Sequence, residues 1–427
     1  MKSLSLRTLT LAVSTAVAAL SGPVAQAAES VKIGVVTFLS GPAAGPFGIP
    51  SRNAAEILVE GLNAGKVPAP HATKGFGGAP VQLVFVDEAG STTTQVSEYR
   101  NLVQRQNVDI VVGYISSGNC LAVAPVAEEL KKVTVIFDCG TPRLLEENAY
   151  KYVFRTGAHA GMDSVAAGLY VAQVKPTTKT FAGINQNYAW GQDSWSDFEA
   201  TMKVKLPAAK SVTSQMPKLF AGQYGTEISA LMAANPEVIH SSFWNGDLEA
   251  LILQAAPRGL FKKSMVVLSA GETAIHKLGK SIPDGTVIGA RGPHSVFAPD
   301  TEINKWFQAT YRDRYSTPPN YASYHMAQAI LGAKTAYEKA KAAAGGADPT
   351  QEQIIAAFEG LSFEGPSGRV DMRNSKGHQA IQDTAYGMTK MVKGELTITN
   401  IKRFKADEVN PPEGVKSSDW IASGLKK

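Results

Sequence analysis

The chain is poor in the side chains that most often do chemistry. It holds two cysteines, Cys120 and Cys139, and seven histidines among 427 residues. The cysteines form no CxxC pair and no paired histidines accompany them, which excludes a zinc site of ordinary spacing. No G-x-S-x-G elbow, H-E-x-x-H helix or EF-hand loop occurs, so the familiar hydrolase and calcium classes drop out and no enzyme is expected. Gly75-Phe76-Gly77-Gly78 precedes a strand instead of following one, a poor dinucleotide fingerprint that reads as a surface turn. No cofactor and no metal are expected. Charge of one sign is also lacking, with 42 basic against 37 acidic residues and no Lys/Arg block. That excludes a nucleic-acid stripe. Beyond residue 27 no apolar run is long enough to span a bilayer.

What is present begins with a leader. Lys2 and Arg7 flank an apolar run over residues 9–20, and Ala25-Gln26-Ala27 offers a small-residue cleavage site before Ala28. These are the three parts of a secretory signal peptide, predicted over 1–27. The run is too short for a transmembrane anchor, and no cysteine stands at the cleavage point to carry a lipid. Removal takes away two basic residues and no acids, leaving a formal charge of +3. The mature protein is expected to be exported and soluble.

Residues 108–145 are the organising stretch. A short apolar run at 110–112 leads into a Gly-Tyr-Ile-Ser-Ser-Gly turn, an amphipathic run, and a second apolar run at 133–137 ending in Cys139-Gly140-Thr141. This is a parallel βαβ unit. Ligands in such sheets sit beyond the carboxyl ends of the strands, where both loops fall. The two cysteines follow adjacent strands, and in an oxidising compartment they are expected to pair, the alternative being two buried thiols. Closing this loop contributes roughly 3 kcal/mol by chain entropy.

Strand and helix alternate from residue 31 to about 137, so the sheet is mostly parallel. Tyr152-Val153-Phe154-Arg155-Thr156 reads as an extended crossing. The alternation restarts at Met162, giving a second α/β lobe over 155–289. Long helices follow over 301–315 and 321–342. A turn into a strand comes at 363–370, and a closing hairpin over 383–404. The tail beyond Asp407 reads as loosely packed.

Together these segments resemble the branched-chain amino acid (leucine/isoleucine/valine-binding) family of periplasmic solute-binding proteins of ABC importers. The resemblance is carried by Ile33-Gly34-Val35-Val36 through Ser40-Gly41-Pro42-Ala43-Ala44, by Ala122 to Glu129, by the Tyr152–Thr156 crossing, by Tyr188-Ala189-Trp190-Gly191-Gln192, by Gln254-Ala255 with Gly259-Leu260, and by Pro366-Ser367-Gly368. It implies an α/β fold of two doubly wound, Rossmann-like lobes joined by three hinge crossings, the type I periplasmic binding protein. The lobes would comprise 29–154 plus 290–382 and 155–289 plus 383–427.

The resemblance also implies a ligand site between the lobes. A ligand carboxylate would be held by Ser116, Ser117, Cys139 and Thr141, whose helix starts offer unpaired N–H groups. Phe47, Tyr188, Trp190 and Trp244, with Phe243 beside them, would cover an apolar ligand body. An ammonium would pair with Glu272, or with Asp247. Asp138 stands where the amino acid binders tend to have proline and could select a donor group on the ligand. His240 reads as structural. The implied function is a periplasmic, monomeric receptor that delivers a small hydrophobic amino acid to ABC permease and ATPase subunits. A receptor for an aromatic or other small carboxylate is the alternative, and a ligand-sensing component of a chemoreceptor system is a third reading.

Overall fold

A computed structural model describes residues 30–426, so the expected leader lies outside the described residues. Fifteen strands are described. The first ten, in chain order, are β1 (Val31–Thr37), β2 (Val81–Asp87), β3 (Ile110–Gly113), β4 (Thr134–Ile136), β5 (Val153–Arg155), β6 (Thr180–Ile184), β7 (Lys210–Gln215), β8 (Val238–Ser241), β9 (Met265–Leu268) and β10 (Val287–Gly289). Then come β11 (Ser362–Gly365), β12 (Gly368–Asn374), β13 (Gln379–Ile381), β14 (Thr384–Val392) and β15 (Glu395–Phe404).

They form two mixed sheets, with orders β11-β12-β13-β5-β4-β3-β1-β2 and β15-β14-β10-β9-β8-β6-β7. Strands β1 to β5 pair in parallel, as do β6 to β10, while the strands added later bring antiparallel hairpins. The inner strands are apolar and buried on both faces, as parallel strands covered by helices must be. At the sheet edge β7, Lys-Ser-Val-Thr-Ser-Gln, alternates exposed and half-buried residues, a polar edge that resists pairing with another chain. The chain leaves the first sheet after β5, returns after β10 and leaves again after β13. This is the α/β architecture of two lobes joined by three crossings expected from the sequence.

The largest core lies in the first lobe around the helix Tyr321–Ala343, buried along most of its length and packed against the helix Ile49–Ala64. Among the described residues no helix is long and apolar enough to cross a membrane. Cys120 and Cys139 form a disulfide with their Cα atoms 6.4 Å apart. It ties the first turn of the helix Ser117–Glu129 to the loop after β4, as adjacent parallel strands allow.

Two segments differ from the sequence reading. The tail is packed, because Ser417 donates to Glu146 and Trp420 and Ile421 are buried in the second lobe's core. Its scarcity of periodic apolar residues hid a short helix, Ser417–Ala422, that needs only one buried face. The Gly75–Gly78 turn is likewise no mere surface feature, since Phe76 is fully buried beside Tyr337.

Candidate functional site

Crevices form in open parallel sheets where the strand order reverses. It reverses between β1 and β3 in the first sheet and between β6 and β8 in the second. The loops leaving these strands meet. Phe47, Ile115, Asp138 and Gly140 come from the first lobe's loops, and Tyr188, Trp190 and Trp244 from the second lobe's. Arg291, just after β10, and Tyr321, at the start of its helix, complete the lining. The space left among them is about 10 Å³, enough for a single water molecule. A larger ligand enters only when the lobes part.

Aromatic rings from both lobes interlock there. Trp244 meets Phe47 edge-on with centroids 5.2 Å apart, and Phe47 meets Tyr321 edge-on at 5.5 Å. The Trp190 indole N–H donates to the Ser242 carbonyl at 2.8 Å. That bond holds its ring under the Arg291 guanidinium, 4.5 Å from the ring centroid, a cation–π contact in a dry site. Gly140 faces the same ring, and a Cβ there would lie 2.4 Å from the Trp190 ring and 2.8 Å from Arg291 Nη2. The glycine is required by closeness, not by backbone angle.

Arg291 is the hub of the polar network. Its Nε donates to Asp163 Oδ2 at 3.0 Å, its Nη1 to the Asp138 carbonyl at 2.7 Å and to the Asp138 carboxylate, and its Nη2 to the Ala158 carbonyl at 2.7 Å. His325, from the helix Tyr321–Ala343, bonds Asp138 Oδ1 at 2.9 Å and the Arg291 carbonyl at 3.1 Å. Burial works against the guanidinium charge, but Asp138 and Asp163 outweigh it and keep Arg291 charged. Burial pushes the Asp163 carboxyl up to about 6, with Arg291 pulling the other way. Two ion pairs on Arg291 thus join Asp138 of one lobe and Asp163 of the other to the crossing between them. Asp138 Oδ2 is buried and makes no hydrogen bond within the protein, while the Trp244 indole N–H points to the Tyr188 hydroxyl. The lining therefore keeps one acceptor for a guest.

The expected site residues divide into two groups. Phe47, Tyr188, Trp190, Trp244 and Asp138 line the cleft. Ser116 and Ser117 stand at the start of the helix Ser117–Glu129, outside the lining. The Ser116 N–H donates to Glu88 at 2.8 Å, and the Ser117 hydroxyl accepts from the Thr141 N–H at 3.2 Å. Burial raises the Glu88 carboxyl to about 8, against the pull of the Ser116 and Ile115 N–H groups. Cys139 is in the disulfide, and its N–H donates to the Tyr114 carbonyl at 3.1 Å. The Thr141 hydroxyl donates to Asp193 Oδ2 at 2.6 Å, across the lobes.

Glu272 also lies outside the lining. Its carboxylate accepts the Tyr321 N–H at 2.8 Å, capping that helix, and burial raises its pKa to about 7. Asp247 is spent inside the second lobe, accepting from Gln186 at 2.8 Å and from the Phe220 N–H at 2.7 Å. Phe243 packs on Tyr224 at 4.9 Å, away from the cleft. His240 stacks on Phe198, and burial lowers its pKa to about 3.

Sequence reasoning missed Arg291, Tyr321, Asp163 and His325. The one available signal was a lone arginine between Ala290 and Gly292 at the expected second crossing. Among the described residues no group of three or more His, Cys, Asp or Glu could hold a metal ion.

Comparison with known proteins agrees with this geometry. The family described as periplasmic binding protein matches residues 30–394. The Leu/Ile/Val-binding protein homolog 4 of Brucella melitensis is 25% identical over 385 residues, covering 86% of each chain. A solute-binding protein of an ABC transporter from Rhodopseudomonas palustris, solved with 4-hydroxybenzoate, superposes with a TM-score of 0.75 at 20% identity, over 88% of this chain and 98% of its own. An ABC-type branched-chain amino acid transporter structure from the same species gives a TM-score of 0.67 at 21% identity, over 90% and 99%. At those identities the structures speak for the fold alone. The family match spans most of the chain, and with it the two lobes, the three crossings and the lined cleft have one common explanation: this chain belongs to the periplasmic binding protein family of transport solute-binding proteins.

Proposed function

We propose that the mature chain is the periplasmic receptor of an ABC importer, exported by the leader at 1–27, and that it closes its lobes on a small hydrophobic amino acid. The observation that carries this reading is the cleft lining, in which five aromatic rings surround one Asp–Arg pair. The rings suit an apolar ligand body. Asp138 Oδ2, unpartnered and buried, suits an ammonium, while the charge of Arg291 suits a carboxylate. Asp138 takes the acidic role that sequence reasoning gave to Glu272. Within this reading the lobes are 29–154 plus 290–382 and 155–289 plus 383–427, and closure about the crossings is the event read by permease and ATPase subunits. The receptor acts as a monomer, needs no cofactor and catalyses nothing.

A second reading, a hydroxylated aromatic acid, is favoured by the density of rings and by the same free oxygen of Asp138, which equally accepts a phenolic O–H. A thermal-shift and calorimetric panel of the mature protein separates the two. It contains leucine, valine and phenylalanine beside benzoate and 4-hydroxybenzoate. A folded-state ligand raises the melting temperature with its concentration. Amino acids alone are expected to do so, and Asp138→Asn is expected to abolish the effect. Stabilisation by 4-hydroxybenzoate alone selects the second reading, and no shift with any of them refutes both.

A further inference from the structure

The hydrogen bonds of His325 fix the place of a proton. This side chain is fully buried beside the cleft. Its Nδ1 stands 2.9 Å from Asp138 Oδ1, and its Nε2 stands 3.1 Å from the Arg291 carbonyl. A carbonyl only accepts, so Nε2 donates. A neutral ring would then turn the lone pair of Nδ1 on a carboxylate oxygen, two acceptors face to face in buried surroundings. The proton that separates them has no place on Asp138. Its Oδ1 already receives an Arg291 Nη1 proton, and its Oδ2 has no hydrogen-bond partner within the protein. The proton sits on Nδ1, and the ring donates from both nitrogens as an imidazolium.

The groups packed around the ring leave that charge in place. From its own helix, Tyr321 meets it edge-on with centroids 5.3 Å apart, and burial holds the Tyr321 phenol protonated. From the segment after β10, His294 meets it edge-on at 4.5 Å. Burial keeps His294 neutral, with the charges of His325 and Arg291 adding to the effect. From the loop after β5 comes backbone, at Gly157, where a Cβ would lie 3.4 Å from Nδ1. Asp163, on the far side of Arg291, is raised only to about 6 and is ionised at neutral pH. Glu88 and Glu272 spend their carboxylates on backbone N–H groups outside this network. The joined groups are therefore two carboxylates, Asp138 and Asp163, against one guanidinium and one imidazolium, with no net charge.

We infer that His325 is a positioning residue that sets the charge the cleft accepts: its proton cancels the carboxylate charge that Arg291, shared between two acids, leaves over, and so favours a ligand neutral overall, a zwitterion, over an ion of the same shape. This rests on the cleft reading above and adds a charge rule to it. A cation without a carboxylate, or an anion without an ammonium, brings a charge into the closed cleft that nothing there offsets.

Nitrogen NMR of the mature protein, isotope-labelled at histidine, reads the ring without any ligand, its signal assigned through contacts with the Tyr321 ring. Two protonated ring nitrogens are expected at neutral pH. A bare nitrogen overturns the inference whatever the protein binds, while the receptor reading fails only on the ligand panel above, so the two failures are distinguishable. His325→Gln then tests selectivity, by calorimetry with leucine and with isopentylamine, which has the same side chain and no carboxylate. The variant cleft carries one negative charge more. Its preference for leucine over the amine should fall by at least about tenfold, the scale of one charge partner in a partly screened site. Loss of both affinities by one factor, as lost packing would produce, overturns the inference.

Discussion

Gly140 is the residue on which the two lobes depend for their closest approach. A methyl group there presses on the Trp190 ring and on Arg291 together, and overpacking of that kind costs about 1–3 kcal/mol. Because the clash with Trp190 exists only when the lobes meet, Gly140→Ala should weaken ligand binding by tenfold or more, on the order of that cost. The Arg291 side chain has to shift in the ligand-free protein as well, so a modest fall in its melting temperature should accompany the loss of affinity, as calorimetry would show. Asp197 tests a different quantity. Burial, then Glu146 and Asp193, raise its carboxyl from an ordinary 3.8 to about 8, and its Oδ2 has no hydrogen-bond partner. The folded state thus holds a proton that the unfolded chain releases. Its contribution is full below pH 3.8 and is lost as pH rises through about 8. Wild-type stability to denaturant should therefore fall between these limits more steeply than that of Asp197→Asn, which cannot ionise. Equal slopes would mean that Asp197 is not held protonated.

Among the elements, the helix Tyr321–Ala343 carries most. It supplies the first lobe's core and brings Tyr321 and His325 to the cleft. Its first turn is held by the Asn320 side chain, which accepts the Ser323 N–H at 3.3 Å, and by Glu272 from the other lobe. Glu272→Ala should cost about 1 kcal/mol in denaturant unfolding, the usual worth of a helix cap, and leave ligand affinity within about threefold. A loss of affinity of two orders of magnitude or more would return Glu272 to the role of ammonium partner. The helix itself was legible in the run from Tyr321 onward, and its start in Asn320. That a glutamate from beyond β9 would cap it was not legible, because the contact spans 49 residues of sequence and both lobes.

At the scale of the molecule, closure is held by contacts made only between lobes. The Thr141 hydroxyl and the Arg143 guanidinium both bind Asp193, with Arg143 Nε 2.9 Å from Oδ1, and the Gly246 N–H reaches the Pro42 carbonyl at 3.2 Å. Removing Asp193 leaves each lobe's core untouched. Asp193→Ala should therefore populate the open arrangement in the absence of ligand. A larger radius of gyration by small-angle scattering would report it, and a saturating ligand should restore the wild-type value. An unchanged radius would mean that the remaining contacts, the rings with the Arg291–Asp163 and Glu272–Tyr321 bonds, suffice to hold the lobes together.

While the expected crossing at Tyr152–Thr156 is the inner strand β5, after which the chain leaves the first sheet, the sequence by itself determined the alternation of buried strands and helices, the two lobes, the cysteine pair and the aromatic loops. These depend on neighbours along the chain, on hydrophobic period, or on loops forced side by side by adjacent strands. Only the tertiary structure decided which polar groups the protein spends on itself. Thr141 was readable as a donor at a strand end, but its hydroxyl goes to Asp193, 52 residues away. Arg291 was one arginine among many until folding buried it between Asp138, Asp163 and Trp190. A ligand site is whatever hydrogen-bonding capacity remains after such pairings, and that remainder is set by contacts hundreds of residues apart, which no local pattern records.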